Sequence, residues 1–318
     1  NNKDVLKNPL VRVFQHPADF AGQEERYDQK RFFRETVAVP VPLPAVIFVL
    51  LLMVFPVVYT LFVSFSDWSL TSGRPMKFVG LESYIKVLRE PRFIAALGRT
   101  FVFTAGAVLI ESILGTGIAI ILNRTFRGKN AVKLVLLLPL VATPVAIGIV
   151  WNLFFDPTIG FLNFCLSLAG LPRSGWVTET GTVLPSLMLV DIWQWTPMIT
   201  LIVLAGLSSL SQDPYESAKV DGASPFQIFR LITLPLIMPT VLTALILRAV
   251  DALKTFDIIY AITGGGPGFS SETINIMAFK YSFEYFDLGT ASAILVFLFF
   301  VVLLFSLAVM RIRRHFEI

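Results

Sequence analysis

The chain has 318 residues, 55% of them hydrophobic and only 15% charged, with a mean hydropathy of +0.73. That is too apolar for a soluble domain of this length and specifies an integral membrane protein. The formal net charge of +4 and pI near 9.2 require no nucleic acid, because anionic lipid beside basic membrane flanks accounts for them.

Residues 1–42 read as a cytoplasmic tail, in which Tyr27, Lys30, Arg31, Phe32, Phe33 and Arg34 form an aromatic and basic stretch suited to the membrane interface. Pro40, Pro42 and Pro44 give an extended approach to the first span. That span lies in residues 37–66, a charge-free run that is too long for a signal-peptide core. The charge-free runs 134–155 and 288–310 also exceed the roughly 20 residues needed to cross the hydrocarbon. Residues 100–122 form a span around Glu111, 183–210 one around Asp191, and 234–262 one that is apolar first and charged later. The expectation is therefore an all-α integral membrane fold with six transmembrane helices.

Lysine and arginine near the span ends set the expected orientation. Lys3, Lys7, Arg12, Arg26, Lys30, Arg31 and Arg34 precede the first span. Arg124, Arg127, Lys129 and Lys133 lie between the second and third, and Arg311, Arg313 and Arg314 follow the last. Both termini are expected to be cytoplasmic, with the transmembrane domain at 43–310 and a short tail at 311–318. The exception is the connection 67–99, which holds Arg74, Lys77, Lys86, Arg89, Arg92 and Arg99 on the side expected to be external.

The polar interruption Asp213 to Thr233 reads as helix, break, helix. Asp213, Pro214 and Glu216 have the form of a capping box with proline in the first turn, and Ser224, Pro225 and Gln227 repeat it. Gly222 lies between them, where the first short helix must end in a turn. Further on, Thr263-Gly264-Gly265-Gly266-Pro267-Gly268 cannot continue a helix, so the chain must turn away at the end of the fifth span.

Glu216-Ser217-Ala218, with Gly222 six residues after the glutamate and Ile232-Thr233-Leu234-Pro235 beyond it, resembles the EAA loop of bacterial ABC importer permeases. The one departure is Ser217, where alanine is usual. Phe78-Val79-Gly80-Leu81 with Tyr84, and Thr100 to Thr104, resemble the external segment and second-span start of the carbohydrate-uptake permeases. Ile258 to Gly268 is similar to the first of their two permease subunits, the maltose/glycerol-phosphate type.

The resemblance implies a coupling loop at 213–235 that meets an ATPase through Glu216, Ser217, Ala218, Asp221, Gly222 and Phe226. It also implies a second EAA-type permease, two nucleotide-binding ATPase subunits, an extracytoplasmic solute-binding protein, and residence among lipid in the bacterial inner membrane. No cofactor is expected on this chain, with ATP and magnesium held by the partner ATPase. It carries no G-x-x-x-x-G-K-[ST] phosphate loop.

A charge inside a span is costly and points to function. Asp191, Gln194, Trp195 and Met198 fall on one helical face of the fourth span; Arg248, Asp251, Ala252 and Thr255 share a face of the fifth. Together they are expected to line a substrate path, where rings stack on sugar faces and polar groups bond hydroxyls. Arg248 facing that path would favour an anionic sugar unless Asp251 neutralises it. Arg248 and Asp251 are also spaced for an intrahelical ion pair that only stabilises the bundle. Glu111 is expected to be structural, Trp151, Trp176 and Trp193 to be interfacial, and Cys165 to be a small apolar residue.

The expected function is the permease half of an ATP-driven sugar importer, with no bond chemistry of its own. The alternative is a secondary carrier or channel, for which Asp191 and Asp251 are single acids without a relay. An enzyme has no support, since one cysteine and two histidines in opposite tails build neither a catalytic pair nor a metal cluster.

Overall fold

The structure, a computed structural model, describes residues 43–316. The expected tail 1–42, with its aromatic and basic stretch, lies outside the described residues. Residues up to Tyr59 form one unit and those from Thr60 onward a second.

The elements in chain order are α1 (Leu43–Val63), a short antiparallel pair β1 (Ser66–Asp67) and β2 (Lys77–Phe78), α2 (Glu82–Arg89), α3 (Pro91–Asn123), α4 (Lys129–Val141), α5 (Pro144–Phe154), α6 (Phe161–Leu168), α7 (Val183–Ser208) and α8 (Asp213–Val220). There follow α9 (Pro225–Ala252), α10 (Asp257–Thr263), α11 (Ile274–Phe283) and α12 (Leu288–Phe316). The protein is thus mostly helical. Five helices, α1, α3, α7, α9 and α12, are long and apolar enough to cross a membrane.

The third expected span, 134–155, differs from the sequence reading. Its charge-free run is split into α4 and α5, bent by 99° at residues 142–143. Proline biases the preceding residue away from the helical region, and Thr143, before Pro144, is extended at φ −68°, ψ 139°. Ala142 is extended as well, at φ −77°, ψ 141°. Hydropathy sees only the apolar run and not the break within it.

Proline also shapes helices that continue. In α1 a π turn occupies Leu50–Val54 and in α9 another occupies Phe229–Thr233, and each stops two residues before a proline, Pro56 and Pro235. Proline has no N–H for the carbonyl four residues back, and its ring crowds that carbonyl. An extra residue in the turn relieves this, and the Leu234 N–H reaches the Phe229 carbonyl five residues away.

The second helix of the interruption therefore does not stand alone. It runs through the π turn into α9, so the fifth span begins at Pro225 rather than 234. It ends at Ala252, ahead of the expected 262, and α10 resumes only at Asp257.

Within the second unit, α3 and α7 pack along most of their length and α9 lies against both. A cluster at one end joins Ala119, Leu122, Ile199, Val203, Leu207 and Ile237. A second, at the other end, joins Phe103, Trp151, Phe155, Leu187, Val190 and Ile259. Trp151 is a core residue here rather than an interfacial one. The Trp176 ring lies tilted against Phe155 with centroids 5.5 Å apart, and its indole N–H donates to Asn163 Oδ1 at 3.0 Å.

The α3–α7 contact is close because Gly115 has no side chain. A Cβ there would lie 2.8 Å from Ile199 Cγ2, whereas one at Gly117 would meet nothing within 4 Å. Gly115→Val is expected to overpack this contact and cost about 1–3 kcal/mol. Gly117→Ala, gaining helix propensity, is expected to be neutral or stabilising by up to about 1 kcal/mol. Thermal unfolding of the purified protein in detergent checks both.

Candidate functional site

Between the two apolar clusters the helices bring together three ionisable side chains, Glu111 from α3, Asp191 from α7 and Arg248 from α9. All three are at most 1% exposed. Arg248 Nη2 donates to Asp191 Oδ2 and lies 3.3 Å from Glu111 Oε1, while Nε sits 2.9 Å from Glu111 Oε2. The guanidinium carbon is 5.2 Å from the centre of the Trp195 ring. An isolated charge at this depth is untenable, and pairing with geometric fit is what makes it tolerable.

The expected Arg248–Asp251 pair is not formed. Asp251 pairs instead with Lys254 at 3.4 Å, both side chains half exposed. Arg248 and Asp251 are three residues apart, but α9 turns Arg248 inward and ends at Ala252, leaving Asp251 facing outward. Glu111 is the member that span-by-span reading could not connect to the others, because its partner is 137 residues away in the chain.

A cavity of about 140 Å³ opens beside this triad, lined by Pro144, Trp195, Arg248, Asp251, Thr255 and Phe256, together with Asp257 and Ile258. It gathers Trp195, Arg248, Asp251 and Thr255 from two helices as expected, although Thr255 lies past the end of α9. Asp191 stands behind Arg248 rather than on the wall. Gln194 is buried, with Oε1 lacking a partner among the described residues. Met198 does not line the cavity.

The polar interruption is ordered as its sequence suggests at one cap and not at the other. Ser224 forms a full capping box: its Oγ accepts from the Gln227 N–H and its own N–H donates to Gln227 Oε1 at 2.7 Å. Asp213 does not cap. The Tyr215 and Glu216 amides donate to the Gln212 carbonyl, so α8 starts one residue early.

At the other end of α8, Gly222 adopts φ +74°. Its N–H donates to the Lys219 carbonyl and that of Ala223 to the Ala218 carbonyl, closing the helix in a Schellman motif. Val220 and Phe226 flank this bend, 87% and 67% exposed.

Three of the basic residues of the connection 67–99, Lys86, Arg92 and Arg99, have partners that sequence reading missed. Arg92 binds Glu272 through two nitrogens at 2.7 and 2.6 Å, Arg99 Nε donates to the Glu272 carbonyl at 2.7 Å, and Lys86 pairs with Asp287 at 3.2 Å. The connections 67–99 and 263–287 therefore lie on one face.

Residues 111–317 match the family model of the binding-protein-dependent transport system inner membrane component. The chain is 37% identical over 273 residues to the trehalose/maltose transport system permease protein of Thermococcus litoralis, covering 86% of this chain and 92% of the relative. It is 33% identical over 298 residues to the sulfoquinovosyl glycerol transport system permease protein of Agrobacterium fabrum, covering 91% and 97%. The crystal structure of a bacterial alginate ABC transporter, in complex with its alginate pentasaccharide-bound periplasmic protein, contains a chain of the same fold. There the TM-score is 0.78 at 23% identity, covering 90% of this chain and 96% of that one. The chain belongs to the family of binding-protein-dependent transport inner membrane components. It is a membrane permease subunit, a transport component and not an enzyme.

Arg248→Met strips both buried carboxylates of their counter-charge and is expected to cost about 3–5 kcal/mol. Glu111→Gln leaves the Asp191 contact in place and is expected to cost less. Unfolding temperatures in detergent give the order; an Arg248→Met protein as stable as wild type overturns the structural role of the triad.

Proposed function

We propose that this family member is one of two permease subunits of an ATP-driven importer of sugars or oligosaccharides, working by alternating access. The observation that carries the reading is the position of the capped loop. It joins α7 to α9, and these are the helices that bring Asp191 and Arg248 together. Along α9 Arg248 stands 23 residues beyond Pro225, a span of about 35 Å at 1.5 Å per residue. A push on the loop is therefore delivered to the cavity wall as movement of a stiff rod.

In this reading α8 is the coupling helix, and Glu216, Ser217, Ala218, Asp221, Gly222 and Phe226 meet the ATPase. Exposed Val220 and Phe226 supply apolar area for docking. The partners are a second EAA-type permease, two nucleotide-binding subunits that hold ATP and magnesium, and an extracytoplasmic solute-binding protein. Trp195, Arg248, Asp251 and Thr255 contribute to the solute path, supported by Asp191, Gln194 and Met198. The saccharide class draws support from the names of the relatives, which transport trehalose/maltose and sulfoquinovosyl glycerol.

Two experiments test the reading. Gly222→Val puts a β-branched residue at positive φ, where a non-glycine residue costs about 1–2 kcal/mol, and Glu216→Ala removes a charged anchor. Both are expected to lower solute-stimulated ATPase activity and uptake without loss of the permease from the membrane; unchanged activity in both refutes the coupling assignment.

Topology follows from labelling single cysteines in a Cys165→Ser background, needed because Cys165 is exposed. Cysteines at Arg127 and Ser211 are expected to react only from the cytoplasm, and those at Ser174 and Ser270 only from outside. External labelling at 211 overturns both the orientation and the docking of an ATPase there.

A further inference from the structure

We propose that the cavity admits an uncharged polyhydroxylated solute and discriminates against carboxylated, phosphorylated or sulfonated ones, with Asp251 and Asp257 setting that preference. The proposal rests on the saccharide reading above and narrows it, toward the neutral trehalose/maltose of one relative and away from the sulfonated glycoside of the other.

The only cation on the cavity wall is Arg248, and its charge is already satisfied. Nη2 and Nε face Asp191 and Glu111, so two carboxylates stand behind one guanidinium. Nη1 makes no hydrogen bond among the described residues, which leaves its two N–H groups as donors to a hydroxyl rather than as a free positive charge.

The other ionisable groups on the wall are Asp251 and Asp257, both exposed. Lys254 lies 3.4 Å from Asp251, but both side chains are about half in solvent, and a pair of that kind is screened and weak. Asp257 has no ion-pair partner among the described residues.

With Arg248 matched by Asp191 and Glu111, the formal charge of the residues lining the wall is therefore negative. A hydroxyl finds acceptors in the two aspartates, donors at Nη1, and a flat apolar face in Trp195, which is what a sugar ring requires. An anion placed there meets two carboxylates with only a neutralised guanidinium in return. Apposed like charges disfavour such a ligand.

The test uses the complete transporter in proteoliposomes, with its ATPase and solute-binding subunits. The probes are labelled neutral oligosaccharides, size-matched uronic acid, sulfonated and phosphorylated counterparts, and an amino-sugar series. Wild type is expected to favour neutral over acidic probes by at least about tenfold. Because the binding protein is common to all samples, the permease's share is read from the ratio in variants. The Asp251→Asn, Asp257→Asn double variant is expected to shrink the preference by at least about threefold, and Asp251→Glu to retain it.

Acidic probes transported as fast as neutral ones, amino sugars rejected as strongly as acidic ones, or a ratio unmoved in the double variant each overturn the proposal while leaving the saccharide reading intact. Failure to transport a saccharide of any class refutes both.

Discussion

The arrangement of this protein's helices depends on one electrostatic demand: Arg248, buried near the C-terminal end of a long apolar helix, must be neutralised where water is absent. Glu111 and Asp191 meet that demand from two other helices. The cost of stranding an ionised side chain in hydrocarbon makes the contact a registration device as well as an ion pair. It sets the relative height of α3, α7 and α9. The close approach at Gly115 and Ile199 supports the same register through packing. A cavity beside such a triad inherits its electrostatics, and that is why a lone arginine in the sequence is a poor guide to what the site attracts.

The same helices that hold the triad border the loop proposed to receive the ATPase, and the loop's stiffness has identifiable sources. A Schellman closure at Gly222 and a capping box at Ser224 satisfy the backbone groups that a bare turn would leave to water. The π turn before Pro235 lets α9 pass through a proline without breaking. A short helix, a defined corner and an unbroken rod are the parts from which a lever is made, and the exposed Val220 and Phe226 give it an apolar tip.

Charge on the opposite connections has a local explanation. Arginines and lysines in the segment 67–99 run against the orientation expected from the other span ends, but Arg92, Arg99 and Lys86 are engaged by Glu272 and Asp287 of the segment that follows the glycine turn. Glu272 is fully buried. These residues serve to hold two connections together, so counting them as topological signals overstates their weight.

Much of this was legible in the residues themselves. Long apolar runs announced a membrane protein because hydrocarbon tolerates little else. The spacing from Glu216 to Pro235 announced a helix, a bend at Gly222 and a second helix start, because caps and turns are local chemistry written in neighbouring residues. Local pattern was insufficient where two signals coincide. The run 134–155 is apolar throughout, yet Thr143 before Pro144 bends it by 99°. Asp213 looks like a cap, yet the helix begins one residue earlier.

The triad lay beyond any local reading. Glu111, Asp191 and Arg248 were each visible as anomalous charges, and Arg248 had a plausible partner, Asp251, in its own helix. Sequence placed three charges within apolar spans; only the packing of α3, α7 and α9 buried them together and decided which would neutralise which. Ion pairing is settled by distance in space, and those partners stand 57 and 137 residues apart along the chain.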